Sequence, residues 1–147
     1  MIMKEIILAK REHLPLVARL EKDIFADPCS ERGLELFLTD GAFCVCCFEE
    51  DTLVSYCTVV TVLDEAQIIN VATSSSHRGR GYAKDVLCAV FDECKKREIT
   101  SISLEVRESN VPAITLYNSF GFKAMGKRKD FYKNPRENAL VMIKNLD

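Results

Sequence analysis

The residues of this chain best suited to chemistry are gathered in one loop. Arg78-Gly79-Arg80-Gly81-Tyr82-Ala83-Lys84 follows the apolar run Val71-Ala72-Thr73 through Ser74-Ser75-Ser76-His77 and opens a segment of helical periodicity. A glycine-rich loop at a helix start leaves backbone N–H groups unpaired, and the helix dipole adds partial positive charge there. Gly79 and Gly81 let a bulky group approach the backbone, while Arg78 and Arg80 can fork onto phosphate oxygens. The loop suits a ligand that carries phosphates, although a solvated basic turn would have the same composition. Two further candidates lie downstream. Glu105 is a carboxylate near the end of an alternating segment, where sites gather in open α/β sheets, and Tyr117 is a phenol inside a helical segment beside Leu116 and Phe120. A solvated strand carboxylate and a core aromatic are the plain alternatives for these two.

The phosphate ligand can be narrowed. Gly79-Arg80-Gly81 is half of a dinucleotide fingerprint, but the third glycine position holds Lys84 and the strand-to-helix loop is long. The strands before it also form a meander rather than a βαβ unit. A P-loop is excluded because no Gly-Lys-Ser/Thr follows. Metal chemistry has little support. Cys29, Cys44, Cys46, Cys47, Cys57, Cys88 and Cys94 make an odd count, and Cys44-Val45-Cys46-Cys47 has no second Cys or His pair at ligand spacing, with His13 and His77 isolated. On a strand, Cys44 and Cys46 would face one side and Cys47 the other, as small core hydrophobes do.

The elements that must position these residues follow from periodicity. A strand is expected over 3–9, then a helix from Leu14 to about Phe25, broken by Asp27-Pro28-Cys29. Ser30 can cap a short second helix carrying Leu34, Leu36, Phe37 and Leu38. Three β-rich segments, 42–49, 53–63 and 66–73, are joined by tight polar connectors and read as an antiparallel meander. A helix over 82–97 precedes a strand from Ile99 to Val106, with Ile102, Leu104 and Val106 on one face and Ser101, Ser103 and Glu105 on the other. Asn110 can cap a helix through Phe120 that Gly121 ends, and strands near 122–132 and 138–146 close the chain. The order β-α-α-β-β-β-α-β-α-β-β specifies an α/β protein with one mixed sheet. Its 147 residues suit a single domain, 1–147. The net charge of −2 opposes a general nucleic-acid binder. The start, Met1 to Glu5, has no cationic lead and no long apolar run, so no leader is expected, and the longest apolar-leaning run, Leu53 to Leu63, is too short to span a bilayer. A cytoplasmic monomer without membrane or nucleic-acid partners is the expectation.

Arg78-x-x-Gly81-x-Ala83 resembles the R/Q-x-x-G-x-G/A pyrophosphate loop of the GNAT superfamily of N-acetyltransferases, which bind acetyl-CoA. The meander before the loop and the strand and helix after it follow that family's order. The likeness narrows to RimI-like ribosomal-protein alanine N-acetyltransferases through Val62 to Ala66, Asn70-Val71-Ala72, and the long segment Leu104-Glu105-Val106-Arg107, Ser109-Asn110, Ala113-Ile114, Leu116-Tyr117 and Gly121-Phe122. It runs from about Glu5 to Leu146.

The resemblance implies a central mixed sheet flanked by about four helices, acetyl-CoA as cosubstrate and no metal. It makes Glu105 the general base and Tyr117 the donor of a proton to the departing CoA sulfur, a task a phenol of pKa about 10 can perform for a thiolate of about 8.5. It assigns the CoA-binding surface to Val71, Ala72 and Thr73, whose backbone would hold the pantetheine arm like an added strand, and to Arg78, Gly79, Arg80, Gly81, Tyr82, Ala83, Lys84, Asn110 and Tyr117. A backbone N–H at 71–73 would polarise the carbonyl.

The implied acceptor is a protein N-terminus, that of a ribosomal protein, held by the 20–31 region and the 130–138 loop. The family's Pro-Trp-Ser-Glu is here Pro28-Cys29-Ser30-Glu31, Tyr132 matches a family aromatic, and Glu21, Asp64 and Glu65 could attract a basic acceptor tail. Deprotonating lysine rather than an α-amine costs about 3.5 kcal/mol more at neutral pH, which favours the α-amine. No cysteine lies where the family would place a nucleophile, so direct transfer in a ternary complex is expected. The alternatives are a GNAT enzyme acting on a small-molecule amine or lysine, a non-catalytic acyl-CoA sensor, and a dinucleotide oxidoreductase.

Overall fold

A computed structural model describes residues 3–146; Met1 and Ile2, part of the start read as leaderless, and Asp147 lie outside the described residues. One mixed sheet holds seven strands: β1 (Lys4–Leu8), β2 (Ala42–Glu49), β3 (Thr52–Val62), β4 (Glu65–Thr73), β5 (Ser101–Arg107), β6 (Lys123–Tyr132) and β7 (Glu137–Asn145). Their spatial order is β1-β2-β3-β4-β5-β7-β6. Every neighbouring pair is antiparallel except β4 and β5. Helices α1 (Leu14–Ile24) and α2 (Glu31–Leu34) cover one face of the first half, and α3 (Tyr82–Lys96) and α4 (Val111–Ser119) cover the other. This is the mixed α/β architecture expected from the order of the segments.

The patterning explains the layers. Phe43, Val45 and Cys47 point toward Val86, Leu87 and Val90 of α3, whereas Cys44 and Cys46 point toward Leu14 and Val17 of α1 and Leu34 of α2. With both faces covered, Ala42 through Phe48 are all buried, so β2 reads as an unbroken apolar run. All seven cysteines are free, and among the described residues no group of three or more His, Cys, Asp and Glu could hold a metal.

Two boundaries differ from expectation for local reasons. The strand read from Ile99 starts at Ser101 because α3 ends in a left-handed turn: Glu98 has φ +60°, its N–H bonds Lys95 O at 3.1 Å, and Ile99 N–H bonds Cys94 O at 2.9 Å. Ile99 is the buried apolar residue that accompanies such a cap. The short second helix is α-helical over four residues only and tightens into a 3₁₀ turn over Glu35–Leu38. The cap residues themselves are as expected: Ser30 Oγ accepts from Gly33 N and Asn110 Oδ1 from Ala113 N.

One irregularity shapes the functional half. Along the β3–β4 ladder Thr58 faces Asn70 and Val59 faces Ile68, so Ile69 has no opposite residue. Such a bulge bends its strand and increases local twist. β4 then stays with β5 only over Glu65–Gln67, against Ser101–Ser103, while β5 runs on to Arg107 paired with β7. Beyond Gln67 the two parallel strands part, leaving main-chain edges that no third strand fills.

Candidate active site

The parted strands open a cleft of about 720 Å³. Gln67 to Val71 form one wall and Leu104 to Arg107 the other, with Asn110, Ala113 and Tyr117 of α4 behind and residues 24–27 and 131–135 at the mouth. The cleft therefore gathers four of the expected site residues, Val71, Glu105, Asn110 and Tyr117.

Glu105 projects from the polar face of β5, and its side chain is 12% exposed. Gln67 Nε2 donates to its Oε1 at 2.7 Å. Arg128 Nε stands 3.1 Å from Oε2, yet the N–H is not aimed along a hydrogen bond, and Oε2 is a buried oxygen without one among the described residues. A close cation with poor alignment supplies charge and covers the oxygen without giving its lone pairs a directed partner. Tyr117 is 5% exposed, and burial pushes its phenol well above the ordinary value of 10.0. It packs edge-on against Phe122 at 5.7 Å. A phenol held in its neutral form next to a cleft is a proton donor rather than a base.

The basic loop lies past the end of β4, tied to it by a 3.3 Å hydrogen bond from Arg78 Nε to Thr73 O. Gly79 and Gly81 have φ of +79° and +83°, and a Cβ added at either would meet nothing within 4 Å. Their glycines thus serve conformation and leave open space in front of the backbone. The first hydrogen bond of α3 runs from Asp85 N to Gly81 O at 3.1 Å, which leaves the amides of the preceding turn to bind something else. Ser55 Oγ donates to Ala72 O at 2.9 Å, so the last residues of β4 are braced from β3. Arg78, Arg80 and Lys84 are exposed. Tyr82 differs: its side chain is buried, donates its hydroxyl to Glu49, and props the loop from below. Glu49 also stands 3.7 Å from Arg80 and 4.0 Å from His77.

A cleft between parted strands, a glycine-rich basic loop beyond the end of β4 and a carboxylate and a phenol on the cleft walls form a set that comparison with known proteins can place. The family model described as "Acetyltransferase (GNAT) family" matches residues 11–122. The chain belongs to the GNAT acetyltransferase family. A putative [ribosomal protein bS18]-alanine N-acetyltransferase of Bacillus subtilis is 32% identical over 133 residues, covering 89% of this chain and 88% of the relative. A [ribosomal protein bS18]-alanine N-acetyltransferase of Haemophilus ducreyi is 39% identical over 97 residues, 64% of this chain and 67% of that protein. The crystal structure of the ribosomal-protein-S18-alanine N-acetyltransferase from Escherichia coli superposes with a TM-score of 0.91 at 28% identity, covering 99% of this chain and 95% of that one.

The far wall of this GNAT cleft is where the structure departs from expectation. Glu21 is no surface attractor for a basic tail. It is fully buried and accepts hydrogen bonds from Tyr56 Oη at 2.6 Å, Asn70 Nδ2 at 2.8 Å and Cys29 N at 2.8 Å. It fastens the 25–29 segment to the bulged strand. Asp64 and Glu65 are exposed but lie in the β3–β4 turn and at the start of β4, where Glu65 is paired with β5, outside the cleft lining. On the opposite side, Arg107 donates to Pro135 O at 2.9 Å and Lys133 O at 3.1 Å, pairs with Glu137, and covers the Tyr132 ring at 4.5 Å. Those bonds rigidify the 133–137 turn at the mouth. Hydrogen bonds from Ser109, with Arg107 nearby, hold the Glu137 carboxyl below its ordinary range. Gln67, Arg128 and Glu49 escaped the sequence reading. Gln67 reaches Glu105 because it pairs in parallel with Ser103, a register that alternation alone does not reveal. No helix among the described residues is long and apolar enough to cross a membrane.

Proposed function

We propose that this GNAT enzyme transfers an acetyl group from acetyl-CoA to the N-terminal α-amine of a protein, an alanine at the start of a ribosomal protein, acting as a cytoplasmic monomer that engages neither nucleic acid nor membrane. The observation that carries the reading is the pairing, in one cleft, of the partly covered carboxylate of Glu105 with the buried neutral phenol of Tyr117. The relatives' names support the acceptor class. Acetyl-CoA suits the residues present: the loop offers positive-φ glycines with open space before them, unpaired helix-start amides and two arginines.

Acetyl-CoA, when bound, supplies an activated carbonyl and a thiol leaving group. Arg78, Arg80, Lys84 and the amides of Gly79 to Ala83 hold its diphosphate. The backbone of Val71, Ala72 and Thr73 holds the pantetheine arm, and an N–H of that stretch polarises the carbonyl. Asn110 uses Oδ1 as a helix cap, which leaves its Nδ2 to donate to the cosubstrate. Glu105 takes a proton from the acceptor amine, and Tyr117 gives one to the departing sulfur. An α-amine near pKa 8 asks far less of a carboxylate base than a lysine does.

The test incubates the protein with acetyl-CoA and peptides starting with Ala or Ser, their N-blocked lysine-containing counterparts, and free polyamines, read by mass spectrometry. Acetylation of α-amines alone is expected. Modification of lysines or polyamines with untouched α-amines rejects the acceptor. Replacement Glu105→Gln should lower kcat by roughly 10²–10⁴-fold; a CoA sensor would bind and show neither turnover nor sensitivity.

A further inference from the structure

The carboxylate assigned as base is not open to an incoming amine. Its Oε1 is engaged by Gln67 and its Oε2 is covered, with Arg128 Nε 3.1 Å away. The cover is itself a solvent-facing group: the Arg128 side chain is 61% exposed. It leaves β6 where the ladder to β7 breaks. Arg128 still pairs with Ala139, the next paired residue is Tyr132, and Asp130 between them has φ +53°. The guanidinium lies 5.7 Å from the ring of Phe131, which sits at the mouth of the cleft and is half exposed. Of the other charged and titratable groups on this face, Arg107 of β5 is engaged by the 133–135 carbonyls and by Glu137 of β7, and Tyr132 of β6 lies beneath it. Lys133 and Asp27 also line the cleft, but Arg128 is the cation that stands against Glu105, and its exposure leaves it free to move away.

We propose that Arg128 is a positioning residue that caps Glu105 until the ammonium of an acceptor displaces it, withholding the base from water in the meantime. The inference rests on Glu105 acting as base. Its logic is competition: a guanidinium and an α-ammonium are both cations, and both need the same carboxylate oxygen. With the cap gone and no acceptor present, water can take the acceptor's place. Its oxygen bonds to the acetyl carbon, the C–S bond breaks, Glu105 takes the water proton, Tyr117 protonates the sulfur, and acetate and CoA leave. The cap suppresses that loss.

The experiment compares the wild type with Arg128→Met and Arg128→Lys, each saturated with CoA, by calorimetric titration with an Ala-starting peptide and with the same peptide N-acetylated. Arg128→Met should bind the free-amine peptide about fivefold more tightly, the effect of one unit charge about 4 Å away in a hydrated site, and should leave the acetylated peptide unchanged. Arg128→Lys should behave like the wild type. A second measurement follows CoA release from acetyl-CoA without acceptor, which should rise by a similar factor in Arg128→Met. Equal changes for both peptides, or none, overturn the cap and leave the transferase reading standing. Failure of the free-amine peptide to bind any of the three proteins overturns the acceptor reading and the cap with it.

Discussion

Glu21 offers the sharpest test of how the cleft wall is held. Replacing it by Leu keeps the bulk and removes the acceptor of three hydrogen bonds, from Tyr56 Oη, Asn70 Nδ2 and Cys29 N. Tyr56 is fully buried, so its hydroxyl would stay unpaired, at a cost of about 1–3 kcal/mol. Asn70 and Cys29 are half-buried and recover part of their loss from water. Together the three lost contacts should cost about 2–4 kcal/mol. At about 2.1 cal/mol/K of unfolding entropy per residue, a chain of 147 residues loses roughly 3 °C per kcal/mol, so Tm should fall by about 6–12 °C. Glu21→Gln retains the oxygen facing Tyr56 and Asn70 but turns an NH₂ on the Cys29 amide, and should cost roughly half as much. Urea unfolding followed by circular dichroism measures each variant, together with Tyr56→Phe and the double variant Glu21→Leu/Tyr56→Phe. A coupling of at least ~1 kcal/mol between the two sites is expected. A loss below about 1 kcal/mol for Glu21→Leu, the size ordinary for a surface position, would refute the argument that this carboxylate ties the 25–29 segment to the sheet.

Three further outcomes can be checked. Tyr117→Phe removes one hydroxyl and should lower kcat by roughly 10²–10⁴-fold with the acetyl-CoA KM nearly unchanged; steady-state kinetics showing full kcat would exclude its acid role. Gly81→Val forces a β-branched residue to a φ of +83° in open space, so the penalty is backbone strain of about 1–2 kcal/mol, and the acetyl-CoA KM should rise roughly tenfold; an unaltered KM would show that the loop does not contact the cosubstrate. Burial pushes the thiols of Cys47 and Cys94 up to about 11 from an ordinary 9.0. The unfolded chain releases these protons first and so binds fewer than the native state in that interval. Stability should therefore decline as pH rises from about 9 to about 11, and equal urea midpoints at pH 8 and pH 10.5 would contradict it.

Much of this molecule could be read before any coordinates. The alternation of Ile102, Leu104 and Val106 against Ser103 and Glu105 fixes which face of β5 bears the carboxylate, and Ser30 and Asn110 announce their helices because side-chain caps are local chemistry. The cysteines sort onto two faces of β2 as two-residue alternation requires. What could not be read depends on long-range pairing. Glu21 is a carboxylate in an amphipathic helix and looks solvated until Tyr56 and Asn70, 35 and 49 residues away, are brought beneath it. The cleft itself follows from Ile69 bulging out of the β3 ladder, and a strand carries no sequence mark for a missed pairing. The contact of Arg128 with Glu105 needs β6 beyond β7 at the sheet edge, an order that chain succession conceals.

On the proposed reading, the pantetheine arm is held by the main chain of Val71 to Thr73, atoms which every sequence possesses. The side chains along β4 can therefore drift widely while the slot for a thioester arm persists. On the same reading, choice of acceptor rests on different material: two short surface segments, 25–29 and 131–136, anchored by Glu21 and Arg107. Exchanging those segments while keeping their two anchors should redirect the enzyme to a new amine without disturbing how it is charged with acetyl groups.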